Sequence, residues 1–418
     1  MSYRGGRGYR SNPVPVPDED LLKGVGDVVC KIPIPTLTVE DSEVVEVDDV
    51  HPVASYTWLD KPKPTIVVPG SPPVWRERSL PFVVEKDNVV AFVDQNGNRV
   101  PDYPLLPLVA AVTHMEPDFA FSSVEFVTDR NTLRKLLRWI RGREMDPSVK
   151  DFRFNVELVG KTLLFTRHET KTVEISNRGY GLGFEKAVTR EPPAAGSREK
   201  LGGVGHHRIV RYTLEGLDLL VRFELDACLP DEQQAKRPTD LTELLARLDR
   251  VGLSETAPAS STSTSAPAPA TKPKSKPVEH MHGIDIVPAG TLVPQSRTIE
   301  LVTCSSKFVS TFSWAENYPQ LFLSQTAHHF LGLHNFGTFS KIEKRTLQSL
   351  TAGRIGEEQQ GDLKRLGKAL RVIYDRVVEE GPGVLLSLAC VGQVLTLRKR
   401  TDGKHALPDD LLAAFSGV

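Results

Sequence analysis

Two acids stand one residue apart in "LLVRFELDAC" (219–228), Glu224 and Asp226, and a third, Glu300, sits in the alternating stretch "RTIELVTCS" (297–305). An extended chain points residues two apart to the same side, so Glu224 and Asp226 would offer their carboxylates together. Hard divalent cations take oxygen ligands, and acids on neighbouring strands are the natural holder for Mg²⁺ or Mn²⁺. Such an ion makes a water nucleophilic and relieves charge on non-bridging phosphate oxygens, which is what phosphodiester or pyrophosphate hydrolysis needs at neutral pH. Two residues past Glu300 comes Val302, which neither donates a hydrogen bond nor carries charge. Alone, an E-x-D pair is weak evidence, because exposed strand faces often carry two acids.

These acids require strands to hold them, and the pattern supplies several. Strand-like runs occur in "PFVVE", "NVVAFVD", "SVEFVTD", "FRFNVELVG", "KTLLFTRHE", "HHRIVRYTLE" and "DLLVRFELDA", with "VLLSLAC" and "QVLTLRKR" near the end. Helical spacing appears in "DRNTLRKLLRWIRG" (129–142), where Leu133, Leu136, Leu137 and Ile140 recur on one side, and in "DLTELLARLDRVG" (240–252). Further helix is expected around "YPQLFLSQTAHHFLGLH", near 357–380 and in the closing "LPDDLLAAF". Strands framed by helices place the chain in the α+β or mixed α/β class.

With 418 residues, there is ample chain to bury a core. Lys and Arg total 52 against 53 Asp and Glu, a formal net charge of −1, so no global positive field draws in nucleic acid or a membrane surface. Any nucleic-acid contact must therefore be local. Cys30, Cys228, Cys304 and Cys390 lie far apart without a CxxC pair, which argues against both a zinc site and a disulfide framework. The apolar runs are short or broken by proline and the N-terminus lacks a signal-peptide core, so the expected setting is a soluble, intracellular one, nucleus or cytoplasm, with no membrane partner.

Residues 1–45 mix Gly, Arg, Pro and acids and are expected to be a disordered arm. Its head, "MSYRGGRGYR", resembles an RGG segment, with Arg4, Arg7 and Arg10 interleaved with Tyr3 and Tyr9; a flexible solvated terminus is the plainer reading. Residues 255–282 open with "ETAPASSTSTSAPAPATKPKSKPV" and read as a low-complexity Ala/Pro/Ser/Thr insertion. The acids before it and Glu300 after it belong most sensibly to one site, so residues 46–254 and 283–418 are expected to be two halves of one fold.

The stretches "VEFVTDRNTLRKLL", "FRFNVELVGKTLLFTRHET", "RGYGLGFEKAVT", "GHHRIVRYTLEGLDLLVRFELDAC", "RTIELVTCS" and "LFLSQTAHHFLGLHNF" occur in an order that resembles the DXO/Rai-type family of RNA decapping enzymes and 5′-end exonucleases. That family belongs to the PD-(D/E)xK nuclease superfamily, and the resemblance covers roughly residues 53–400. It implies a central mixed β-sheet flanked by helices. The family's motif arginine falls on Arg130, a substrate-binding residue, and the glutamate of its G-Y-x-x-x-E motif on Glu185, with one extra residue in "GYGLGFE". Its E-x-D pair falls on Glu224 and Asp226, the glutamate of E-x-K on Glu300, and the glutamine of the next helix on Gln325. The resemblance thus implies Glu185, Glu224, Asp226 and Glu300 as metal ligands and, with Gln325, as the catalytic set.

Val302 stands where the family has the lysine of E-x-K. Loss of one charged donor at a transition state commonly costs about 10²–10³ in rate. Lys186 follows Glu185 directly, and adjacent helix positions point about 100° apart, which disfavours it as a substitute. Two expectations follow. The first is a Mg²⁺- or Mn²⁺-dependent hydrolase of RNA 5′ ends that removes a cap or 5′ pyrophosphate, with 5′→3′ exonuclease action as a further family activity. The second is a catalytically impaired relative that binds RNA ends or scaffolds a 5′→3′ exoribonuclease. A second Lys or Arg near Glu300 and Asp226 would favour the first, and a dry apolar surround at Val302 the second. His206 and His207 could touch RNA but are more often structural, and His328, His329 and His334 lack zinc-ligand spacing and read as a helix surface. Neither "GYGLGF" nor "LGGVGHH" runs into G-K-[ST], so nucleoside triphosphate binding is not indicated.

Overall fold

The computed structural model describes residues 19–145, 150–176, 179–192, 203–231 and 277–416. The RGG head, the helix expected at 240–252 and most of the expected insertion lie outside the described residues. Two sheets form the frame. The larger has twelve strands, with Phe152–Val159, Thr162–His168, Phe126–Asp129, Leu217–Glu224 and Gly203–Leu214 adjacent at its centre. Its core strands are mixed in direction: Leu217–Glu224 runs parallel to Phe126–Asp129 and antiparallel to Gly203–Leu214. The second sheet has seven strands, among them Ala227–Cys228, Thr298–Ser305, His328–Asn335 and Thr338–Thr346 in that order. The class is α+β, as the patterning indicated.

Helices cover the sheets through the apolar stripes that their spacing set. In the Arg130–Met145 helix, Leu133, Leu136, Leu137 and Ile140 are buried in one cluster with Phe126, Phe154 and Phe165 of the larger sheet. The Arg354–Glu380 helix adds Leu363, Leu366, Leu370, Ile373 and Val377 to the same cluster. The Gly181–Val188 helix packs Phe184 against Phe339 and Phe82 of the smaller sheet, with Ala187 and Val188 in that core.

Three expectations change. Residues 25–32 are not part of the disordered arm expected over 1–45: Val25–Ile32 pairs antiparallel with Val394–Arg400 at the edge of the larger sheet, and Val29 and Cys30 pack on the core. The expected insertion ends before 282, since Glu279–Met281 pairs with Ile284–Gly290 at the opposite edge. The helix expected through "YPQLFLSQTAHHFLGLH" stops at Ser324; Gln325 takes a left-handed conformation (φ 51°), and His328–Asn335 runs parallel to Thr298–Ser305. His328, His329 and His334 therefore stand on a strand rather than a helix surface. Both sheets draw strands from either side of residues 232–276: Leu386–Val391 pairs with Phe152–Val159, and Ala227–Cys228 with Thr298–Ser305.

Candidate active site

The E-x-D pair sits where the chain leaves one sheet for the other. Glu224 closes the Leu217–Glu224 strand, Leu225 and Asp226 bridge the gap, and Ala227–Cys228 enters the smaller sheet beside Ile299 and Thr298. Glu300 follows on that neighbouring strand, so the crossover brings acids of both sheets together. Asp226 is fixed by its own sheet, its Oδ2 accepting the Leu301 N–H at 2.8 Å. Glu185 arrives from the Gly181–Val188 helix, whose first turn is anchored by Asp87: its carboxylate accepts from the N–H groups of Gly183 at 3.0 Å and Leu182 at 3.3 Å.

A buried ion pair sets the position of Arg130. Arg222 and Asp129 face each other on parallel strands, and the guanidinium donates to both carboxylate oxygens at 2.7 and 2.9 Å. The next residue after Asp129 starts the helix, and two residues after Arg222 comes Glu224. Arg130 and Glu224 are thereby held as neighbours in the wall of a cavity of about 500 Å³, with Arg167, His207, Phe223 and Phe92 among the other lining groups.

Glu300 is buried (3 % exposed), and both of its oxygens are engaged. Arg130 Nη1 donates to Oε2 at 2.8 Å, and the Gln320 amide donates to Oε1. Arg130 also reaches the Ser324 hydroxyl at 3.4 Å and lies 5.4 Å above the Phe223 ring. The positive charge that meets Glu300 thus comes from the helix start. Val302, on the same face two residues on, is half-buried beside Leu331, and Lys186 is exposed.

The acids also act on one another's protonation. Glu185 is pushed up to about 8 by burial and then by the charges of Glu224, Glu300 and Asp87. Asp226 is raised well above the usual carboxylate range by burial, then by Glu300 and Glu185, against the opposing Leu301 N–H and Arg130. Glu224, whose side chain opens to solvent, is raised as well, first by partial desolvation, with Arg130 opposing and Glu300 adding to the shift. Like charges crowded in a low-dielectric wall resist full ionisation. A hard divalent cation relieves that repulsion, so the donor set fits one in chemistry: carboxylate oxygens only, from three elements. As they stand, no three His, Cys, Asp or Glu side chains among the described residues are close enough to ligate an ion together.

Of the six residues expected from sequence, Arg130, Glu185, Glu224, Asp226 and Glu300 come together. Gln325 does not join them: its amide donates to the Phe322 carbonyl at 2.6 Å, and it closes the Trp314–Ser324 helix. The same helix sends Gln320 to Glu300 instead, a contact that the spacing Gln320 to Gln325 left unread. His206 and His207 lie on a strand, buried and held well below the usual imidazole range by burial. His207 stacks on Tyr56, with ring centres 4.9 Å apart, and bonds Asn96 at 3.2 Å. His329 is also buried, pushed down to about 4, and packs beside Trp314.

A family model described as a domain of unknown function (DUF8563) matches residues 28–415. No curated protein matches the sequence. Solved structures do resemble it in fold. The Rai1 of Candida albicans, in complex with pU5 and Mn²⁺, is 14% identical with a TM-score of 0.53, over 93% of this chain and all 100% of that one. The Rai1 of Scheffersomyces stipitis, in complex with (3′-NADP)⁺ and calcium ion, is 10% identical with a TM-score of 0.55, over 92% of this chain and 100% of that one. The Dxo1 of K. lactis, in complex with manganese, is 10% identical with a TM-score of 0.50, over 92% and 95%. No helix among the described residues is long and apolar enough to cross a membrane.

Proposed function

We propose that this chain, which belongs to the DUF8563 family, is a divalent-metal-dependent hydrolase of RNA 5′ ends. The observation that carries the reading is the ion pair of Arg130 with Glu300 at the crossover that gathers Glu185, Glu224 and Asp226. It puts a guanidinium beside the acids in a chain that has valine at the E-x-K lysine position. The fold shared with Rai1 and Dxo1 structures, solved with pU5 or manganese, supports the substrate class and the metal.

Glu185, Glu224, Asp226 and Glu300 would hold Mg²⁺ or Mn²⁺ once their side chains turn toward one another. When bound, the ion supplies an activated water and neutralises phosphate oxygens. The residues around it do the rest. The Leu301 N–H keeps Asp226 oriented, and Gln320 keeps Glu300 turned toward the crossover. Arg130, anchored by Ser324 and Phe223, is placed to meet a phosphate oxygen with its remaining guanidinium donors.

A second reading, an RNA-end binder without turnover, is favoured by one observation: both oxygens of Glu300 already have protein partners. Calorimetric titration with Mn²⁺ tests the shared premise of both. Native protein is expected to bind the ion, and Asp226→Ala to bind it at least tenfold more weakly. Equal binding by the two proteins would remove the carboxylates from the account.

A further inference from the structure

One wall of the cleft carries an oxygen that the fold leaves unused. Gln95 opens the short Gln95–Arg99 helix, directly after its Asp94 cap, and lines the same cavity as Glu224 and Arg130. Its Nε2 donates to the Val204 carbonyl at 2.5 Å, which fixes the other end of the amide as the oxygen. That oxygen is buried and accepts no hydrogen bond. The charged groups beside it have partners of their own: Asp94 lies 3.7 Å from Arg167, and Arg99 lies 3.8 Å from Asp60. Asn131 Oδ1, also in the cavity wall, lacks a donor too, but no hydrogen bond fixes which way its amide is turned.

Gly205 gives the Gln95 oxygen its direction. The residue has a positive φ of 132°, a backbone that favours glycine, and a Cβ there would lie 2.5 Å from Gln95 Oε1 and 3.2 Å from Glu224 Oε1. The two oxygens therefore converge beside Gly205, in space that a larger residue would fill. An amide oxygen and a carboxylate oxygen offer each other only lone pairs, so whatever satisfies both must bring a donor or a positive charge.

We propose that Gln95 is a further ligand of the divalent cation, its amide oxygen standing beside the Glu224 carboxylate. The inference rests on the metal-dependent reading of the cleft and adds one neutral donor to the four acids. Amide oxygens serve hard cations as carboxylates do. They do so without adding to the like-charge crowding at Glu185 and Asp226.

The test is calorimetric titration with Mn²⁺, joined to water-proton relaxation by the bound ion, on native protein, Gln95→Leu, Gln95→Asn and Asp226→Ala, each checked by its melt in EDTA. Leucine removes the oxygen, and asparagine draws it back from Glu224. Both Gln95 variants should bind Mn²⁺ about three- to tenfold more weakly than native protein. Their bound ion should also relax water faster, because a water takes the place of the amide oxygen. Equal affinity in native protein and both variants would overturn the assignment. So would weaker binding with unchanged relaxation, which would make Gln95 only a structural support of the cleft wall; either result leaves the acids as the metal site. Failure of native protein to bind Mn²⁺, or equal binding by native protein and Asp226→Ala, would instead refute the metal reading, and this inference with it.

Discussion

Glu185, Glu224 and Asp226 are raised acids in a folded protein, and that has a thermodynamic consequence. With no divalent ion present, the folded state keeps protons on these groups at pH values where the unfolded chain has lost them. Stability therefore falls as pH rises toward and through about 8, the value reached by Glu185. The buried histidines act in the opposite direction, but only near and below the ordinary imidazole value of about 6.5, so the window from about pH 7 to 8.5 reports the acids. Thermal melts in EDTA should lose several degrees across that window, and Mn²⁺ should restore them. Asp226→Asn should flatten the dependence, and a native curve level from pH 7 to 8.5 would show that the acids are not crowded.

Arg130 belongs to the same scale. Arg130→Ala leaves Glu300 buried without its cation and removes the donor proposed to meet a phosphate oxygen. Turnover should drop by about 10²–10³, and Arg130→Lys should recover part of it, because an ammonium keeps the charge but loses the fork. Equal turnover in native protein and Arg130→Ala would mean that the guanidinium is only a structural partner of Glu300.

At the scale of elements, the site depends on close packing beneath Glu185. Gly332 lies on the His328–Asn335 strand under the Phe184 ring, and a Cβ there would come within 2.7–2.8 Å of Phe184 and Phe339. Gly332→Ala should cost about 1–3 kcal/mol by overpacking and shift the helix that carries Glu185. Denaturant melts measure the first effect, and a weakened Mn²⁺ affinity the second; unchanged values for both would show that the helix is positioned by Asp87 alone. Elements with one-sided burial were legible in sequence, as the stripe Leu133, Leu136, Leu137 and Ile140 illustrates. The strand at 328–335 was not, because its residues Phe330, Leu331 and Leu333 are buried on both faces and lack the two-residue alternation. Val25–Ile32 escaped notice for a related reason: it is an edge strand, half-exposed, that depends on a partner nearly the whole chain away.

For the whole molecule, the acids lie near one another because the chain crosses between sheets at Leu225 and Asp226. The spacing of Glu224 and Asp226 announced that both could face one way, and Glu300 was grouped with them on its chemistry, with its role assigned only through a resemblance because its neighbourhood is set by sheet order. The contact of Gln320 with Glu300 was unreadable for the same reason: it joins a helix to a strand that only the fold sets side by side. Strands from both sides of residues 232–276 enter both sheets.

The central claim is that this crossover is a working hydrolytic site despite Val302. Its most direct measurement is product release from 5′-monophosphate, 5′-triphosphate and capped RNA with Mg²⁺ or Mn²⁺, by native protein, Asp226→Ala and Val302→Lys. The account predicts metal-dependent turnover of at least one of these RNAs by the native protein, abolished in Asp226→Ala. No turnover by native protein, with activity appearing only in Val302→Lys, would contradict it and leave a binder whose chemistry one side chain has switched off.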